Sequence, residues 1–114
     1  METNYKLYRI REMAEGDEDF VKELVSAFLQ EIPEDIVHLR EAVLELNHLQ
    51  IKHYAHKMKP TIDLFETGLL EVIMALEKMG ETADDYDEIR TLFSKVSTQL
   101  EIVIAEMKHD FNIA

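Results

Sequence analysis

Only three glycines and two prolines punctuate the 114 residues, and between them apolar residues recur at intervals of three and four. Strands joined by tight reversals need residues that either permit positive φ or fix φ at each turn. A chain this poor in both has room for few turns, so the expectation is an all-α protein.

In chain order, Leu7 to Ala14 predicts a short first helix that Gly16 ends, with Asp17 placed to cap the next. Phe20, Leu24, Ala27 and Phe28 give that segment an apolar face. Pro33 then either starts a new helix or bends the old one, because the residue before a proline avoids the α region. From Glu34 to Leu46 the stripe is Ile36, Leu39, Val43 and Leu46, and Asn47-His48 marks a turn. Ile51, Ala55, Met58, Ile62 and Phe65 draw the central stripe, which Glu66-Thr67-Gly68 interrupts.

Leu69, Val72, Ile73, Leu76 and Met79 form the following face, closed by Gly80. After a charged connection from Glu81 to Asp85, Tyr86 to about Lys108 carries Ile89, Leu92, Phe93, Val96, Leu100, Val103 and Met107 inward. Short connections favour antiparallel neighbours. The spacing therefore predicts an up-down-up-down four-helix bundle over about residues 34–109, with an N-terminal helical segment, about 7–32, packed across one end. One domain spanning 1–114 is expected, since 46% hydrophobic residues suffice for a modest core.

There is no cysteine, which excludes intrachain disulfides and thiolate metal sites and fits a reducing cytoplasm. Met1 to Lys6 lacks the apolar run of a signal peptide, and no stretch approaches a membrane span, so a cytoplasmic protein is expected. A formal net charge of −12 argues against nucleic-acid and anionic-membrane binding.

The helix around His56 carries the functional reading. At about 100° per residue, His56 falls about 140° from the middle of the Ile51 to Phe65 stripe and faces water. His53, Lys57, Pro60 and Leu64 share that side, with Lys52, Lys59 and Asp63 nearer its edges. Pro60 removes the amide that would bond the His56 carbonyl, at a cost on the order of 3 kcal/mol in a helix interior. It either leaves the imidazole uncovered for a docking partner or merely kinks a packed helix.

Other chemistries fit less well. Two Glu-x-x-His pairs, Glu45 with His48 and Glu106 with His109, raise a bundle di-metal site, but Glu45, His48 and His109 point away from their own apolar stripes. His53 and His56 have no apparent third metal ligand on the adjacent turn. A cysteine nucleophile is excluded, no serine stands in a strand-to-helix elbow, and the glycines are too scattered for a phosphate loop. An exposed imidazole that attacks an activated phosphoryl group is what remains, although exposure alone does not single it out.

The run Ala55-His56-Lys57-Met58-Lys59-Pro60-Thr61 resembles the Ala-His-x-Leu-Lys-Gly-Ser motif of histidine-containing phosphotransfer (HPt) domains of bacterial phosphorelays. Gly16 to Phe20, Ala27 to Pro33 and Leu76-Glu77 are similar to flanking helical segments of that family, so the likeness covers nearly the whole chain. It implies a single HPt domain in which His56 accepts the phosphoryl group and Lys59 stabilises its charge. Pro60 replaces the family glycine, Thr61 its serine, and Glu66 a frequent later glycine.

The implied docking surface is Lys52, His53, Lys57, Pro60, Asp63 and Leu64, whose positive charge would favour an acidic phosphoacceptor pocket. The implied partners are receiver domains of hybrid histidine kinases and response regulators, which supply the aspartate, the lysine and Mg2+. This chain would bind no cofactor and no metal, act as a monomeric phosphocarrier, and have no kinase activity of its own. The alternatives are a dimerisation and phosphotransfer fragment of a sensor kinase, whose family usually has an acid directly after the histidine and proline five residues on, and a bundle that binds receivers without transfer.

Overall fold

Side-chain caps set where three of the helices begin. Asp17 accepts hydrogen bonds from the amides of Asp19 and Phe20, Asn47 from that of Gln50, and Asp85 from that of Glu88. Each satisfies donors that no preceding turn can reach, a contribution of about 1 kcal/mol. The computed structural model describes residues 3–82 and 85–113. Its helices are α1 (Tyr8–Ala14), α2 (Glu18–Leu44), α3 (His48–Leu64), α4 (Leu70–Thr82) and α5 (Tyr86–Asp110), with no strand among the described residues.

Helix α2 packs against α3 and α5, α4 packs against the same two, and α1 lies on α2. The apolar stripes meet in one core: Ile51, Ala55, Met58 and Ile62 of α3 are all fully buried, as are Val96, Leu100, Val103 and Met107 of α5. Phe28 of α2 packs on Phe65, ring centres 4.7 Å apart. No helix among the described residues is long and apolar enough to cross a membrane.

Of the two alternatives at Pro33, no new helix starts there: α2 runs through the proline for 27 residues. Val25, Phe28, Ile32, Ile36 and Leu39 form one unbroken buried stripe across the proline. Burying five such side chains, at about 1.5–3 kcal/mol each, outweighs the loss of one helical hydrogen bond. Residues expected to lie partly across one end and partly in the bundle are therefore one long helix, and only α1 stands apart.

Two smaller expectations also change. Leu46 is not a core residue: α2 has ended, and Leu46 sits exposed in the turn with φ 51°. Gly80 does not close α4, which continues to Thr82. It is instead a contact point, because a Cβ there would lie 2.9 Å from the Lys52 amide nitrogen and 3.0 Å from the Ile51 side chain. The missing side chain lets the α4 and α3 backbones approach closely.

The N-terminal arm adds an unforeseen strut. Tyr5 and Leu7 are buried, and the Lys6 amide donates to the Phe65 carbonyl at 2.8 Å. The amides of Thr3 and Asn4 donate to Glu106, and the Tyr5 hydroxyl to Asp110. Burial would raise the Glu106 pKa, but the donors from Asn4 and Thr3 outweigh it and hold the carboxyl below its usual value.

Candidate functional site

Because four residues of α3 are anchored in the core, the opposite side of that helix is fixed toward solvent, and the His56 side chain is 70% exposed. Helix α4 packs beside it at the distance Gly80 allows. One turn before Gly80, Glu77 reaches across the groove and joins two residues of α3. Its Oε2 is 2.8 Å from His56 Nδ1 and its Oε1 accepts from Lys59 Nζ at 2.9 Å. His56 and Lys59 stand three residues apart, on neighbouring turns, so one carboxylate spans both.

Glu77 is mostly covered, with 17% of its side chain exposed. The Lys59 hydrogen bond, opposed by burial and aided by the His56 contact, holds its carboxyl below the usual 4.5. An ionised carboxylate only accepts, so the proton between Glu77 and the ring belongs to Nδ1. A neutral His56 then carries its lone pair on Nε2, which has no hydrogen-bond partner among the described residues. The result is an exposed imidazole whose neutral tautomer is set by Glu77.

The lysines beside it are less free than the sequence implied. Lys57 Nζ is 2.5 Å from Asp35 Oδ1, and Asp35 is buried on α2. That hydrogen bond outweighs desolvation and raises the Lys57 pKa. Lys52 lies 3.5 Å from Glu81, so each lysine near His56 faces a carboxylate. The basic ground expected to attract an acidic pocket is largely neutralised within the molecule.

Of the other residues assigned to docking, Pro60 and His53 are exposed, and His53 meets Tyr54 edge-on at 4.8 Å. Asp63 is engaged from α1: Arg9 donates to its carbonyl at 2.9 Å and to its carboxylate at 3.3 Å. Leu64 is half-buried and packs against the core, so it offers only part of its surface. Among the described residues no three His, Asp or Glu side chains converge as a metal site would require.

Glu77 and Asp35 were not assigned to the site from sequence, although spacing marks both. Asp35 lies in the i, i+3, i+4, i+7 series Ile32, Asp35, Ile36, Leu39, and Glu77 in the series Ile73, Leu76, Glu77, Gly80. An acid on an apolar face needs a partner, and here each partner comes from α3. No protein-family model, curated protein or solved structure matches this chain.

Proposed function

We propose that the protein is an HPt-type phosphocarrier that takes a phosphoryl group from a receiver-domain aspartate onto His56 and passes it to another receiver. The observation that carries this reading is the His56–Glu77 contact, which directs the proton to Nδ1 of a largely exposed ring and leaves Nε2 without a hydrogen-bond partner among the described residues. The Nε2 lone pair forms the N–P bond as the P–O bond to the aspartyl carboxylate breaks, and that carboxylate departs with the electrons. The ring, still protonated at Nδ1, gains positive charge opposite the Glu77 carboxylate.

Lys59 has three donor positions and its contact with Glu77 uses one, so others are available to phosphoryl oxygens. The chain supplies no acyl phosphate, and on this reading the receiver brings that group together with Mg2+. What remains for this protein is positioning and charge balance, which an exposed histidine on a rigid helix face provides. The helix neighbours suit an up-down-up-down bundle; on this reading the protein acts as a cytoplasmic monomer, with partner choice resting on shape around Pro60 and His53 more than on net positive charge.

Incubation with phosphorylated receiver domains tests the proposal. Wild type is expected to gain acid-labile phosphate and His56→Gln none. Stable binding of a phosphorylated receiver without transfer would favour a receiver-binding bundle instead. Autophosphorylation as a constitutive dimer would favour the sensor-kinase fragment.

A further inference from the structure

Away from His56, α2 and α5 form an open cavity of about 240 Å3 lined by Arg40, Val43, Leu44, Arg90, Phe93, Ser94 and Ser97. Neither α3 nor α4 contributes to it. The chain has four arginines. Arg9 and Arg11 are bound to Asp63 and Glu18, whereas the other two both face this cavity. No carboxylate lines it, although the protein carries 24 acids.

Both guanidinium groups rest on aromatic rings, Arg40 over Phe93 at 5.6 Å and Arg90 over Tyr86 at 5.5 Å. A cation over a ring face is held by the ring's quadrupole, which uses none of its N–H donors. Arg90 makes no ion pair among the described residues. Arg40 has only a 3.7 Å approach to the exposed Glu101 and a 3.4 Å hydrogen bond to Ser97. The Ser97 hydroxyl accepts that bond, and no acceptor for its own proton appears among the described residues. Val43, Leu44 and Phe93 supply an apolar wall beside these donors.

We propose that this cavity binds a small organic anion, a carboxylate or phosphate head on an apolar body. The head would lie between Arg40 and Arg90 with Ser97 donating, and the body against Leu44 and Phe93. Planar forked donors match either head group. The volume sits below the usual range of drug-sized sites, which sets the ligand's scale near one ring. Glu101 beside Arg40 and Asp87 one turn from Arg90 are the acids that such a head must displace or tolerate.

Titration of the 15N-labelled full chain with phenyl phosphate, phenylacetate, inorganic phosphate and benzyl alcohol tests this site. The expected result is saturable shifts at α2 and α5 amides for at least one phenyl anion, with inorganic phosphate and benzyl alcohol each at least about tenfold weaker. Which phenyl anion binds tighter identifies the head group. Arg40→Gln and Arg90→Gln, checked for unchanged helicity, should each weaken that binding by about tenfold. Shifts that fail to saturate, that centre on α3, that are equal for benzyl alcohol, or that persist in both arginine variants would overturn the proposal.

Discussion

The two grooves of the bundle treat their cations in opposite ways. Between α3 and α4, where Gly80 brings the backbones together, Glu77 occupies His56 and Lys59 at once. Between α2 and α5, Arg40 and Arg90 lie on aromatic rings with little carboxylate around them. The first arrangement orients an imidazole and restrains charge, which suits chemistry at one atom. The second leaves donors unspent, which suits holding a ligand.

The largest difference between the grooves should appear in covalent chemistry. His56→Gln is expected to abolish phosphoryl acceptance, while Arg40→Gln leaves the transfer rate from a phosphorylated receiver within about twofold of wild type. Equal losses in the two variants would remove the distinction.

Glu77→Gln sharpens the same contrast. The amide can no longer demand a proton on Nδ1, so both neutral tautomers of His56 become populated, and transfer should slow by about tenfold. Nitrogen chemical shifts of the ring would read the tautomers directly. An unchanged ratio with an unchanged rate would reduce Glu77 to a structural residue.

Gly80→Ala probes the close approach itself. An added methyl 2.9 Å from backbone must push the helices apart, a strain of about 1–3 kcal/mol that the better helix propensity of alanine, about 1 kcal/mol, offsets in part. A net loss of about 1 kcal/mol is expected by denaturant unfolding, with a weakened His56–Glu77 contact. Substitution of Arg90 by Gln in the open groove should change stability by less than about 0.5 kcal/mol.

The smallest effect is on acid stability. A carboxyl whose folded pKa lies below its unfolded value stabilises the fold above the unfolded value, and that contribution disappears as pH falls through the folded value. Glu77 is such a group, chiefly through Lys59, so its share is lost as pH drops below about 4.5. Glu77→Gln should flatten the acid limb of a stability curve in that window, and an acid limb as steep as that of wild type would count against the Lys59–Glu77 pairing.

Where one helix's own spacing decides the outcome, the sequence was legible. The α3 residues Ile51, Ala55, Met58 and Ile62 are buried, His56 is exposed, and Asp17 caps α2 as its position implies. Of the two readings of Pro33, a new helix start is excluded, because the buried stripe that continues past the proline keeps α2 in one piece. Gly80 looked like a stop signal and is a packing contact, since only the partner helix reveals why a side chain is absent. The Glu77 and Asp35 pairings were hidden for the same reason: each acid is visible on an apolar face, but its cation lies on another helix.

The most direct test of the central claim is to react 15N-histidine-labelled protein with a phosphorylated receiver and read which ring nitrogen becomes bonded to phosphorus. The account predicts one acid-labile N–P bond at Nε2 of His56, with Nδ1 still protonated. Phosphate on Nδ1, on another residue, or on no residue across a broad panel of receivers would contradict it.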